Sequence, residues 1–215
     1  EELEKAASAY GLALNGNQIE QFCIYYDLLI EWNQKMNLTA ITEPKEVAIK
    51  HIMDSLTVLQ AVEEKDSFRL IDVGTGAGFP GLPLKILRPD LDLFLLDSLK
   101  KRVHFLEVVV EALALKGVQC LHGRAEEAAR GKMREQFDIA VSRAVARLAV
   151  LSEYLLPCVR VGGRAIALKG MRYADEMEEA KYAVHLLGGA GVEAIPVTLP
   201  ELSDRRALLV MKKKR

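Results

Sequence analysis

The chain has 215 residues, of which half are apolar and 27% charged, with a formal net charge of −1 at neutral pH. That makeup fits one globular unit with a substantial core. It excludes a broadly basic, sequence-blind nucleic-acid binder, although a local basic patch is still allowed. No apolar run approaches the roughly 20 residues needed to cross a bilayer. The opening Glu1-Glu2-Leu3 lacks the basic-then-apolar order of a secretory leader, and Glu1 stands where a natural chain would open with Met. Cys23, Cys120 and Cys158 sit scattered in apolar segments without metal-ligand spacing. They are expected to be reduced core residues of a cytoplasmic protein that holds no metal.

Residues 1–65 are expected to form a helical cap, and residues 66–215 a layered core packed with it as one unit. In the cap, Ile19, Phe22, Cys23, Tyr26, Leu29 and Ile30 recur at helical spacing, as do Val47, Ala48, Ile52, Leu56 and Leu59. Between these sets residues 32–39 read as a polar turn, and Pro44 opens the next helix. From Phe68 the rhythm alternates. Strands are expected at 68–73, 92–97, 118–122, 137–142 and 163–169, separated by helices at 80–88, 99–115, near 125–135 and 145–158. Such alternation implies a parallel sheet covered on both faces. A helix at 173–187 then precedes strands 192–199 and 206–213, whose link through Pro200-Glu201-Leu202-Ser203-Asp204 is too short for a crossover. The expected fold is therefore α/β and Rossmann-like: a seven-stranded, mostly parallel sheet ending in an antiparallel hairpin. That arrangement belongs to class I methyltransferases that use S-adenosyl-L-methionine (AdoMet), and differs from the all-parallel dinucleotide fold.

The run Asp72-Val73-Gly74-Thr75-Gly76-Ala77-Gly78-Phe79-Pro80-Gly81 joins the first of these strands to its helix. Glycines there open backbone angles closed to other residues and let a ligand approach the main chain. A match to Gly-x-Gly-x-x-Gly alone would suit a dinucleotide oxidoreductase equally well. Asp72 would repel a pyrophosphate, however, and suits the cationic amino-acid end of AdoMet. Phe79, inside the turn, is expected to wall the methionine portion. Asp97, ending the second strand, can accept from both ribose hydroxyls, with Ser98 and Leu99 beside the adenosine. Ala125 and Glu126, after the third strand, are placed to meet the adenine amino group. A glycine-rich turn without any ligand is the plain alternative.

Five segments carry a closer likeness: Trp32-Asn33-Gln34-Lys35-Met36-Asn37-Leu38-Thr39, His51-Ile52-Met53-Asp54-Ser55, the glycine run through Pro83, Gly123-Arg124-Ala125-Glu126, and Ser142-Arg143-Ala144-Val145-Ala146. In this order and spacing, from about residue 20 to the end, the chain resembles the bacterial small-subunit ribosomal RNA guanine-N7 methyltransferases, also called the glucose-inhibited division protein B family. The resemblance implies methylation of one guanine in a decoding-region loop of 16S ribosomal RNA, with AdoMet as donor. It implies small-subunit RNA or the small ribosomal subunit as partner, and a monomeric cytoplasmic enzyme. It also places Arg143 at the end of the fourth strand, beside the transferred methyl, as the catalytic residue and a cofactor contact.

Residue chemistry is compatible with that target. After Phe137-Asp138-Ile139-Ala140-Val141 the chain carries no Asn/Asp-Pro-Pro-aromatic motif for an amino group. No nucleophilic cysteine stands there for a pyrimidine carbon either. Guanine N7 bears a free lone pair and no proton, so orientation and electrostatics suffice. An arginine forked onto both O6 and N7 would cap the attacking atom. Arg143 is accordingly expected on O6 alone, a phosphate or the cofactor carboxylate, with an ordinary ion pair as the plain alternative. Lys100, Lys101, Arg102, Arg147, Lys169 and Arg172 are candidates for a local RNA-binding rim. A small molecule or a protein as methyl acceptor, or a non-catalytic AdoMet module, stays open from the residues alone. So do the roles of Asn33, Asn37, His51 and Asp54, polar positions along otherwise apolar helices.

Overall fold

The computed structural model describes residues 1–62, 67–143 and 145–215. Helices α1 (Glu2–Ala9) and α2 (Gly16–Met36) open the chain. A reciprocal capping box starts α2: Asn15 Oδ1 accepts from the Gln18 N–H, and Gln18 Oε1 from the Asn15 N–H. Its buried face carries Phe22, Tyr25 and Leu29. The expected turn at 32–39 is helical as far as residue 36, where burial of Trp32 against His104 and Phe105 favours another turn of helix. Asn37 then ends it with φ 49°, a left-handed angle that asparagine tolerates better than most residues. Pro44 opens α3 (Pro44–Val47) as expected. A π-helical turn at Ala48–Met53, α4 (Asp54–Leu56) and a 3-10 segment at Thr57–Ala61 follow without a break.

The remaining elements are β1 (Arg69–Val73), α5 (Gly81–Leu87), β2 (Asp92–Asp97), α6 (Lys100–Ala112), β3 (Val118–His122), α7 (Ala125–Arg130), β4 (Phe137–Arg143), α8 (Leu148–Leu155), β5 (Val159–Lys169), α9 (Tyr173–Leu186), β6 (Glu193–Val197) and β7 (Arg206–Lys212). Sheet order is β3-β2-β1-β4-β5-β7-β6. The first five strands are parallel, and β7 lies antiparallel to both β5 and β6. This is the sheet expected from the sequence.

Apolar side chains cover both faces. Leu70, Leu93, Leu95 and Val141 pack with α5, α6 and the cap residues Phe22, Tyr25 and Leu29. Ile71, Val73, Phe94 and Ala140 pack on the other side with Leu148, Leu151, Leu155 and Val184. The cap thus shares one continuous core with the sheet, while the expected boundary between residues 65 and 66 lies outside the described residues. Among the three cysteines only Cys158 is buried; Cys120 is partly covered and Cys23 lies exposed on α2, because its position falls outside that helix's buried stripe. Among the described residues no helix is long and apolar enough to cross a membrane.

Candidate active site

Strand order reverses between β1 and β4, and the crevice of an open α/β sheet lies at the carboxyl ends beside such a switch point. A cleft of about 580 Å³ opens there, within the usual range for a small-molecule site. Val73 and Gly74 from β1 and its turn form its floor, with Leu96, Asp97, Ser98 and Leu99 from β2. Ala125 and Glu126 close one end; Arg143 and Val145 stand at the other. Ala144, between those last two, lies outside the described residues.

Asp97, 3% exposed, links turn and cleft. Its Oδ2 accepts from the Gly76 N–H and its Oδ1 from the Leu99 N–H, each at 2.9 Å, with the Arg102 guanidinium at 3.7 Å. At Glu126, Oε1 accepts from the Tyr154 hydroxyl at 3.1 Å. Leu99 and Val145 are large apolar side chains left 51% and 44% exposed at the cleft. Gly74 has φ +69°, and a Cβ there would lie 2.6 Å from a methyl of Val145, so any side chain here would be strained and would displace Val145. Two acids, two exposed apolar side chains and a bare backbone floor fit the ribose and base of AdoMet.

Four expected cofactor contacts lie behind this surface. Asp72 is fully buried beneath the turn, where Oδ2 accepts from Thr75 Oγ1 at 2.7 Å and from the Gly81 N–H at 2.8 Å. Burial pushes its carboxyl up to about 7 against those two hydrogen bonds. Asp72 therefore staples the turn from below and does not face the cleft. Gly76 reaches the cleft only through Asp97. Gly78 is covered by Leu82 and the Tyr25 hydroxyl, which donates to Ala77 O. Phe79 is 5% exposed and wedged between Tyr25 and His51, with ring centroids 5.3 and 4.6 Å away. It joins cap to turn and is not among the residues that line the cleft.

The basic candidates divide in the same way. Lys100 and Lys101 are exposed in the first turn of α6, Arg172 is exposed before α9, and Arg102 lines the cleft. Arg147 is exposed and paired with Glu179. Lys169 is not available as a rim residue. Its side chain is 9% exposed, pairs with Glu176 at 2.7 Å and donates to Ala146 O, pinning the loop after β4. Glu176 also accepts from the Leu148 N–H at 2.7 Å, which is why α8 starts there and not at residue 145.

A charged cluster between cap and sheet was not legible as such. Asp54, 4% exposed, accepts from Arg143 Nη1 at 3.1 Å and from Arg206 Nη1 at 2.9 Å. Arg143 Nη1 also donates to Lys50 O at 3.0 Å, and its Nη2 lies 3.1 Å from His51 Nδ1. The guanidinium rests over the Phe79 ring, 5.2 Å from its centroid. Arg206 here and Tyr154 at the cleft were not singled out from the sequence, and Thr39 only as part of a longer segment. The available signal was Asp54, an acid within apolar helical spacing that needs a basic partner from elsewhere in the chain.

Sheet order, switch point and cleft together define a class I methyltransferase fold. Two solved structures share it: an AdoMet-dependent methyltransferase from Aquifex aeolicus and M. jannaschii TYW2 in complex with AdoMet. The first has TM-score 0.56 and 17% identity, covering 79% of this chain and 93% of that one. The second has TM-score 0.57 and 13% identity, covering 77% and 76%. At such identities the likeness is one of fold alone. The family model for rRNA small subunit methyltransferase G matches residues 18–209. Proteins of that name from Lachnoclostridium phytofermentans and Desulforamulus reducens are 53% and 48% identical to the chain. Those matches cover 94% and 98% of this chain, and 84% and 88% of the relatives. The chain belongs to the rRNA small subunit methyltransferase G family.

Proposed function

We propose that this enzyme transfers the methyl group of AdoMet to N7 of one guanine in small-subunit (16S) ribosomal RNA. The observation that carries the acceptor chemistry is the guanidinium of Arg143 on the cleft wall at the end of β4, with no thiol beside it: none of the three cysteines lines the cleft. Bound AdoMet supplies an electrophilic methyl on a sulfonium, and the electrons of the broken carbon–sulfur bond stay on sulfur. The positive charge then resides on the guanine ring, and no proton has to leave. The protein's task is to hold two partners in line and exclude competing geometries.

Asp97 and Glu126 hold the adenosine end, while Gly74 keeps the floor low enough for close approach. Arg143 keeps its Nε–H and one Nη2 hydrogen beyond its contacts within the protein. Directed at guanine O6, they orient the base and leave the N7 lone pair uncapped. Lys100 and Lys101 reach for RNA phosphates. They occupy a helix first turn that contains no acid, where the macrodipole disfavours cations by roughly 0.3–1 kcal/mol each. The monomer assignment rests on a site built from one chain, and the cytoplasmic one on where ribosomal RNA is found.

Methyl-tritiated AdoMet incubated with purified small subunits, with their naked RNA and with their proteins tests the assignment. Label recovered as 7-methylguanosine after nuclease digestion supports it. Label on protein, or in another methylated nucleoside, overturns it.

A further inference from the structure

A buried histidine of the cap, His51, touches the arginine of the cleft. We propose that His51 is a positioning residue for methyl transfer. Its ring accepts from Arg143 through Nδ1, is backed by Thr39 through Nε2, and so fixes which guanidinium hydrogens face the substrate. The inference rests on the function proposed above and concerns how the cap governs that site.

Donor and acceptor capacities assign the ring state. A guanidinium can only donate, so the Nδ1 that stands 3.1 Å from Arg143 Nη2 carries no proton and the ring is neutral. Nε2 then bears the hydrogen and donates to Thr39 Oγ1 at 2.8 Å. Thr39 is itself held. Its Oγ1 accepts from the Ile41 N–H at 3.0 Å, and its own N–H donates to Asn33 Oδ1 at 2.9 Å. The left-handed turn at Asn37 brings this short stretch back across the cap. His51 is 8% exposed and stacked on Phe79 with an interplanar angle of 23°, so the ring has little room to swing.

The π-helical turn completes the arrangement. The Asp54 N–H reaches Ile49 O and His51 O, while Lys50 O accepts from Arg143. Carbonyl, imidazole and carboxylate from one turn thus meet one guanidinium. Asp54 and Lys50 O both hold Nη1, which leaves Nη2 without an acceptor from either. His51 Nδ1 supplies a neutral acceptor on that second nitrogen, and so fixes it without adding charge.

Two variants separate the bonds. His51→Asn places an amide oxygen near the position of Nδ1 and keeps the acceptor for Arg143. His51→Gln places its amide near Nε2 and loses that acceptor. With intact small subunits, His51→Gln is expected to lower kcat by about 30-fold while the Kd for AdoMet stays within about two-fold. His51→Asn is expected to recover most of that loss. Equal losses in the two variants, or full kcat in His51→Gln, overturn the proposal. Long-range proton–nitrogen spectra of the wild-type histidines add a readout that needs no variant to fold. A neutral ring protonated on Nε2 at neutral pH supports the proposal; a ring protonated on Nδ1, or a charged one, overturns it. If the wild type labels no RNA, the function assigned above fails and positioning fails with it. If the wild type labels normally and His51→Gln matches it, positioning alone fails.

Discussion

Arg143, Asp54 and Arg206 form a triad in which one buried carboxylate serves two guanidiniums. Removing the shared carboxylate leaves two partly buried guanidiniums uncompensated. Asp54→Ala is therefore expected to cost about 3–5 kcal/mol in urea unfolding. Arg143→Ala leaves Asp54 paired with Arg206 and should stay folded, with AdoMet affinity largely kept. Methyl transfer to small subunits is expected to fall by about 100-fold or more, and near-normal turnover would remove Arg143 from the site. Burial, aided by the Arg143 charge, holds the His51 ring down to about 4, against 6.5 for a free histidine. The stability tied to the neutral ring is complete above 6.5 and is lost as pH falls toward 4. From about pH 7.5 to about pH 5, wild type should lose roughly 2 kcal/mol more than His51→Asn in chemical denaturation. Asp72 acts in the opposite sense: protonated in the fold up to about 7 but only to 3.8 when unfolded, it favours the fold as pH falls through that window. Because both proteins contain Asp72, the difference between them isolates His51.

At the scale of elements, the site depends on how segments end. Residues 32–39 look like a single polar turn in sequence, yet they divide into helix, left-handed cap and a strut whose Thr39 reaches His51. Asn37→Ala is expected to lower stability by about 1 kcal/mol through the left-handed angle alone. Asn37→Gly should cost less, and a thermal melt distinguishes the two. The loop after β4 is fastened in a comparable way: Glu176 gathers Lys169 and the first N–H of α8. Glu176→Ala strips a partner from a lysine that is only 9% exposed. It is expected to cost about 2–3 kcal/mol in urea unfolding, with AdoMet affinity falling as Val145 loses its anchor. In the basic tail Lys212–Arg215, Lys213 is buried against Glu135 and Leu156 O.

For the whole molecule, a net charge of −1 sets the terms of RNA binding. With no net positive charge, affinity for arbitrary RNA should be weak and its dependence on salt shallow. Replacing Lys100 and Lys101 together by Ala is expected to lower the salt slope of small-subunit binding by at most about 2, without changing AdoMet affinity. A steep slope that survives the replacement would place the phosphate contacts elsewhere. AdoMet near 100 times its Kd should add about 2.7 kcal/mol to the unfolding free energy. A nicotinamide dinucleotide should add none.

Alternating apolar runs, the short link before the last strand and the spaced glycines were enough to place the sheet, its order class and the cleft at its carboxyl edge. Each is a local property, a side-chain period or a backbone angle, and such properties survive in one dimension. That Asp97, Ser98, Leu99, Ala125 and Glu126 line the cleft was legible for the same reason, since strand ends in this topology face the crevice. Which way Asp72 and Phe79 point, that Lys169 is already paired, and that Thr39, His51, Asp54, Arg143 and Arg206 form one cluster were decided only by the fold. These are contacts between residues far apart in the chain, and burial alone determines whether a charged or aromatic side chain meets solvent, ligand or another part of the same protein.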